Sequence, residues 1–314
     1  MRAVVFDSFG SPDVLSLRED VPTPEPGPGQ VLVRVHAASV NPVDTKIRQH
    51  GDQYGIQPPV ILGYDVSGVV EGVGEGVEDL VEGDEVFYTP ELNASGAYAE
   101  YHVADAGLVV VKPADLSHEE AAAIPLAACT AWQALIDRAG LELGEHVLIH
   151  GGGGVGHFAV QIAHAAGARV VVVGNPEMED ALLDCGADLF VDYHEADGTS
   201  AILDLSCDLG ADVILDTVGG ETLANSIDAL APNGRMVTIV GDATGHFGAA
   251  YQKNAALFPL MMQRDGGMLD RIAALVETGD LEPIIDSVLP LAEAAEAHRQ
   301  LERGGVQGKI ILTP

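Results

Sequence analysis

Residues 147–173 read VLIHGGGGVGHFAVQIAHAAGARVVVV. An apolar, strand-like run leads into a glycine loop, a stretch of helical spacing follows, and a second apolar run closes the unit. Gly151, Gly153 and Gly156 fall at the spacing G-x-G-x-x-G. In that setting the first glycines let the chain turn tightly and bring the amides of Gly151, Gly153, Gly154 and Val155 against an anion. Gly156 lets the helix sit close to the strand. The ligand suited to such a turn is a pyrophosphate on a helix N-terminus, so the segment predicts a dinucleotide-binding unit.

Downstream, LFVDY, ADVILDTV and RMVTIVG alternate with helical segments, the pattern of a parallel sheet covered on both faces. An α/β chain is therefore expected, with residues 121–261 as a doubly wound domain. Upstream, MRAVVF, QVLVRVHAASV, VSGVVEGVG and GDEVFY read as short strands broken by turns such as VPTPEPGPGQ, which predicts a β-rich, barrel-like domain over 1–120. The character changes at SHEEAAAIPLAACTAWQALIDRAG, where Ser117 is a candidate N-cap before acidic residues and an alanine-rich helix. The tail resumes with helical MLDRIAALVETG and LAEAAEAHRQLERG and ends on KIIL, a strand expected to return to the first domain, so 262–314 is assigned there.

With 314 residues and 47% apolar content the chain is long enough for two domains with a sizeable core. No apolar run approaches the roughly 20 residues that span a bilayer, and the start MRAVVFDSFG lacks a signal-peptide pattern, so a soluble, cytoplasmic protein is expected. Cys129, Cys185 and Cys207 are too few and too scattered for a four-cysteine zinc lobe or a disulfide framework, and all three are expected to be small buried side chains. Against 48 acidic residues stand 15 basic ones, of which only Lys46, Lys112, Lys253 and Lys309 are lysine, for a formal charge of −33. Molar salt shortens the screening length to about 3 Å and removes most of the resulting repulsion, which predicts adaptation to a salt-rich cytoplasm. Nucleic acid is excluded as a partner because phosphate contacts need clustered Lys and Arg.

Several segments besides the glycine loop carry a resemblance: ASVNPVDTKIR (38–48), PPVILGYDVSGVVEGVGEGV (58–77), GDEVF (83–87), GAYAEY (96–101), AAAIPLAACTAWQAL (121–135), HGGGGVG (150–156), LDTVGG (215–220) and GKIIL (308–312). In this order they are similar to the medium-chain dehydrogenase/reductases, and among them to the quinone oxidoreductases that lack zinc. The resemblance implies a GroES-like catalytic domain interrupted by a Rossmann domain, a cleft between them, and a homodimer formed through the Rossmann sheet. Zinc-dependent members hold their metal with Cys, His and Cys. Those positions fall here on Asn41, Tyr64 and Leu126, none of which replaces a thiolate or imidazole.

The same resemblance assigns Asn41, Asp44, Tyr54 and Tyr64 to the nicotinamide and substrate. Asn41 can donate its amide to a carbonyl or to the cofactor, or serve as a turn residue before Pro42; Asp44 can fix Asn41 or a backbone amide, or cap a helix. Tyr54 can close over the ring or simply pack, and Tyr64 can fill the former metal position or donate its hydroxyl. Thr130 is placed beside the nicotinamide and Tyr193 near the adenosine phosphates. Asp216, Gly219 and Gly241 follow strands whose C-terminal ends line a cofactor crevice in a doubly wound sheet. Lys309 is assigned to the cofactor or, alternatively, to a salt bridge.

Gly174 and Asn175 stand where an acid would bind the adenosine ribose in an NAD enzyme, and no base stands nearby for a 2′-phosphate. The expectation is NADPH, with NADH still open. Quinones and conjugated enones, which are already electrophilic, suit a site that polarises by hydrogen bonds. A dehydrogenase of alcohols or sugars and a non-catalytic, crystallin-like nucleotide binder are the competing readings. The apolar segment 242–267 has no counterpart in the resemblance; it is read as a wall of the substrate pocket or of a dimer interface.

Overall fold

The computed structural model describes residues 1–196, 198–240 and 247–314, with Phe247 by its backbone alone. Gly241, assigned above to the cofactor, lies outside the described residues, as does the start of the 242–267 segment. The chain divides into one unit of Met1–Leu126, Arg264–Thr278 and Pro283–Pro314, and a second of Ala127–Gln263 and Gly279–Glu282. The sequence places the boundaries at 120/121 and 261/262; the divisions here fall at 126/127 and 263/264, and Gly279–Glu282 joins the second unit.

The first unit is built on two sheets. The smaller pairs β1 (Ala3–Phe6) with β2 (Ser16–Arg18) and β4 (Val60–Ile61). In the larger, β15 (Ile285–Pro290), β16 (Lys309–Thr313), β3 (Gln30–Val40), β5 (Val66–Val73), β6 (Glu85–Tyr88) and β8 (Val110–Val111) lie side by side, and β7 (Tyr101–Asp105) also pairs with β3. The alternation in β3 buries Val31, Val33 and Val35, as expected of a strand with one covered face, and its last residues are buried on both. The C-terminal strand does return to this unit: Ile310, Ile311 and Leu312 pair antiparallel with Val40, Ser39 and Ala38. On the other side of β3, Ala38 pairs with Val66. These two registers set Lys309 opposite Asn41 and Asp65 opposite Ser39, so residues far apart in sequence meet at one end of β3.

The second unit is a parallel sheet ordered β11 (Leu189–Asp192), β10 (Arg169–Gly174), β9 (His146–His150), β12 (Ala211–Asp216), β13 (Leu230–Thr238) and β14 (Ala256–Pro259). This is the doubly wound order, in which the direction of winding reverses between β9 and β12. Val147, Leu148, Ile149, Val170, Val171, Val172, Ile214 and Leu215 are wholly buried, the consequence of cover on both faces. A second core gathers Leu148, Val171, Ile202, Ile214, Leu223, Ile227 and Met236 beneath α6 (Thr199–Leu205) and α7 (Glu221–Ser226).

Two sequence expectations are corrected. The run from Ser117 is not one helix: α2 (His118–Ala123) ends before Pro125, which has no N–H to continue the ladder and instead opens α3 (Pro125–Trp132). The Ser117 cap is in place, its hydroxyl accepting from the Glu120 amide at 3.2 Å while the Glu120 carboxylate accepts from the Ser117 amide at 2.8 Å. Nor are all three cysteines buried. Cys129 is, Cys185 is half-buried, and Cys207 is exposed on a turn at φ 55°.

Candidate active site

The glycine loop begins where β9 ends. Gly151 has φ +93°, a left-handed conformation open to glycine, and its amide donates to Val173 O at 2.8 Å, which fastens the turn to β10. A Cβ on Gly151 would stand 2.2 Å from the Thr217 hydroxyl, and one on Gly156 would stand 1.8 Å from Gly151 O. Gly156 thus allows the first turn of α4 (Gly156–Ala165) to close on the loop itself, rather than on the strand. The Gly153 carbonyl already accepts from His157 N at 3.1 Å, so the amides of Gly154, Val155 and Gly156 occupy the first helical turn, where the α-helix supplies no acceptor. A backbone turn that admits no side chain at Gly151 or Gly156, at the positive end of a helix, fits a nucleotide pyrophosphate.

The other residues assigned to the cofactor divide by role. Gly174 ends β10 and Asn175 follows it, its side chain accepting from the Glu177 amide at 3.1 Å and closing a turn followed by Glu179 and Asp180. Tyr193 is exposed, its ring 3.9 Å from that of His194, and its amide donates to Gly174 O. Asp216 is fully buried; it accepts from the amides of Val218 and Gly219 at 3.1 and 2.8 Å and from the Thr238 hydroxyl at 2.8 Å. Its carboxylate therefore shapes the turn at Gly219 and does not present a free acid. Thr130 is buried on α3.

In the first unit, local sequence and sheet register together build a buried polar cluster. Asn41 precedes α1 (Pro42–His50) as its N-cap, with Pro42 in the first helical position. Its backbone amide donates to Asp44 Oδ2 at 2.8 Å. Its side chain is gripped at both ends: Oδ1 accepts from Lys309 Nζ at 2.5 Å, and Nδ2 donates to Asp65 Oδ2 at 2.7 Å. The same Asp65 oxygen accepts from the Ser39 hydroxyl at 2.6 Å and lies 3.4 Å from Lys309, while Oδ1 accepts from the Leu126 amide at 2.6 Å. Lys309 is 3% exposed and Asp65 0%, so the ion pair is unscreened and each partner is met by further hydrogen bonds. Asp44 holds Gly63 N at 2.9 Å through its other oxygen. Complete burial, with the Asp65 charge adding to it, pushes the Asp44 carboxyl up to about 7, against the pull of the Asn41 and Gly63 amides and of Lys309.

The positions that correspond to zinc ligands in metal-dependent members thus converge on Asp65: Asn41 and the Leu126 amide donate to it, and Tyr64 precedes it. Among the described residues no group of three or more His, Cys, Asp or Glu is placed to hold a metal ion. The Tyr64 ring is buried, and its hydroxyl donates to Leu92 O at 3.2 Å; burial and the Asp44 charge both raise its pKa. Tyr64 and the half-exposed Tyr54 line one cavity of about 640 Å³, with Ile56, Leu92 and Arg18 in its wall. Asn41, Asp44 and Lys309 are not on that wall. Sequence reading missed Asp65, although a lone acid inside the apolar run PPVILGYDVSGVV is the signature of a carboxylate that is buried and paired.

Residues 27–114 match the family described as alcohol dehydrogenase GroES-like domain, and residues 185–312 the family described as zinc-binding dehydrogenase. A quinone oxidoreductase of Sus scrofa is 37% identical, over 99% of this chain and 97% of the relative. A chloroplastic NADPH-dependent alkenal/one oxidoreductase of Arabidopsis thaliana is 32% identical, over 100% of this chain and 80% of the relative. The crystal structure of an NAD-dependent alcohol dehydrogenase superposes with a TM-score of 0.93 at 35% identity, over the whole of both chains. A full-length match at this identity, on a GroES-like unit joined to a doubly wound one, makes the chain an oxidoreductase of the medium-chain dehydrogenase/reductase superfamily, of the zinc-free quinone oxidoreductase type.

Proposed function

We propose that the protein reduces quinones or conjugated enones with NADPH. The observation that carries the reading is the clamp on Asn41: an amide fixed by Lys309 and Asp65 stands where zinc-dependent relatives place a metal ligand. Bound at the glycine loop, the dihydronicotinamide would supply hydride. The chain's own residues would bind, orient and polarise. One Asn41 N–H is committed to Asp65, while the other reaches Ser39 O only at 3.5 Å and can turn to an acceptor oxygen. Lys309 brings positive charge to the same point, where developing oxyanion charge is stabilised most in a buried setting. Tyr54 and Tyr64 line a cavity whose volume is in the range of small-molecule sites, but its wall does not include Asn41 or Lys309, so it is not the place where they would polarise the acceptor.

NADPH is supported by the alkenal/one oxidoreductase relative, whose name specifies it. The decisive test is a fluorescence titration with NADPH and NADH, then a quinone and enone panel followed at the nicotinamide absorbance. Tight nucleotide binding without turnover of any member would replace the reductase by a non-catalytic binder, and tighter NADH binding would remove the NADPH preference. The whole-length likeness to an alcohol dehydrogenase favours a second reading, oxidation of alcohols. Alcohol-dependent NAD(P)⁺ reduction, with and without added Zn²⁺, decides it. We also propose a homodimer through the edge of β14, which pairs on one side with β13; a single-chain mass in sedimentation would exclude it.

A further inference from the structure

The cavity lined by Tyr54 and Tyr64 lies wholly within the first unit, and the chemistry proposed at Asn41 does not use it. Much of its wall is apolar: Val5 from β1, Val60 and Ile61 from β4, and Ile56, beside the buried ring of Tyr64. Among the described lining residues Arg18 is the sole base, and it is ion-paired with Asp7, whereas Asp20 adds an exposed acid. An anionic ligand therefore meets no uncommitted cation on this wall, and a neutral, apolar group suits it.

One side of the cavity is formed by residues 92–95, and two buried side chains hold that loop by its carbonyls. Leu92 O accepts from the Tyr64 hydroxyl at 3.2 Å, and Ser95 O lies 2.8 Å from His102 Nε2. A carbonyl only accepts, so Nε2 carries the imidazole proton and the bare Nδ1 accepts from the Tyr88 hydroxyl at 2.8 Å. Tyr88 on β6 and His102 on β7 are both buried in the larger sheet. Both hydrogen bonds run toward the loop, which is thus fastened to the sheet although Asn93, Ala94 and Ser95 are themselves exposed.

We propose that this cavity binds a neutral, apolar substituent of the acceptor, and that Tyr88 and His102 are positioning residues that set its wall through Ser95. Tyr64 joins the two places: its ring lines the cavity, and the next residue, Asp65, holds Asn41. An acceptor whose carbonyl lies at Asn41 has room for a side chain one residue away. The preferred substrates are then quinones or enones bearing an alkyl group, ahead of the bare ring and ahead of equivalents that end in a carboxylate.

This inference rests on the reductase reading, which places the carbonyl, so its test has two readouts. The first is kcat and KM for 1,4-naphthoquinone and its 2-methyl, 2-ethyl and 2-butyl derivatives in the wild type, Ala94→Trp, His102→Leu and His102→Gln. In the wild type KM should fall about fourfold for each methylene buried, with kcat unchanged, because the side chain is held alike in ground and transition states. Ala94→Trp, a large ring on an exposed position of the loop, should flatten this dependence. His102→Leu, which neither accepts from Tyr88 nor donates to Ser95 O, should flatten it too, and His102→Gln should restore part of it, since its amide offers both an acceptor and a donor. A wild-type KM indifferent to the chain, or a chain dependence that survives in Ala94→Trp, overturns the site. Lower kcat in His102→Leu with the chain dependence intact means a merely structural role and overturns the assignment of His102.

The second readout needs no turnover: calorimetric titration of the nucleotide-free wild type and Ala94→Trp with 2-butyl-1,4-naphthoquinone and with its 4-carboxybutyl analogue. The butyl compound should bind the wild type at least about tenfold more tightly than the variant, and the carboxylate should bind both weakly. Equal affinity of the butyl compound for the two proteins, or a carboxylate bound as tightly as the butyl group, overturns the proposal whether or not quinones are turned over. The expected differences in a protein that reduces no quinone or enone uphold the cavity and remove the reductase reading alone.

Discussion

Asn41 shows how much a single side chain depends on its surroundings. As a short polar residue before Pro42 it is a helix cap by local chemistry, and it is one here. Register adds Lys309 on one side and Asp65 on the other, so both ends of the amide are hydrogen-bonded. Asn41→Ala should lower kcat about 100-fold, the usual cost of one preorganised donor, with a smaller effect on NADPH affinity; unchanged turnover would remove Asn41 from the chemistry. His102 makes a contrasting case. It is buried, its Nδ1 lies 2.8 Å from the Tyr88 hydroxyl and its Nε2 2.8 Å from Ser95 O, and burial lowers its pKa to about 4. The unfolded chain therefore takes up this proton first as pH falls, so stability contributed by neutral His102 is full above about 6.5 and is lost toward 4. His102→Gln should be less stable than the wild type at pH 8, and the gap should narrow by pH 4.5 in urea unfolding. A gap independent of pH would show that His102 titrates alike in both states.

At the scale of elements, the glycine loop and α4 were readable because their physics is local. A tight turn, a close approach and a helix start each demand a residue type at a fixed offset, and Gly151 and Gly156 supply it. Gly156→Ala should abolish nucleotide binding and cost about 1–3 kcal/mol of stability, because the methyl would overlap the Gly151 carbonyl and the turn would have to open. Retained NADPH binding in that variant would misplace the phosphate site. The break between α2 and α3 was also written in the sequence, in Pro125, but an alanine-rich run on both sides masked it. Asp216 was legible as a residue at a strand end; its engagement with Val218, Gly219 and Thr238 was not, since Thr238 reaches it from the neighbouring strand β13.

For the whole molecule, charge and connectivity matter most. A formal charge of −33 is a property of the assembled surface, and its self-repulsion weakens as salt screens it. We expect the melting temperature to climb steadily from low salt to molar KCl; a melting point indifferent to salt would contradict adaptation to a salt-rich cytoplasm. Among the described residues no helix is long and apolar enough to cross a membrane.

The amino-acid order by itself determined the doubly wound sheet, the glycine loop and the return of the last strand to the first unit. Periodicity, glycine spacing and apolar runs act over a few neighbouring residues and survive in a linear reading. Only the tertiary structure decided what Asp65, Lys309 and His102 do, because each meets its partners across strand registers or through a loop fastened to the sheet. A buried charge takes its meaning from whichever group shares its low-dielectric surroundings, and no local pattern names that group.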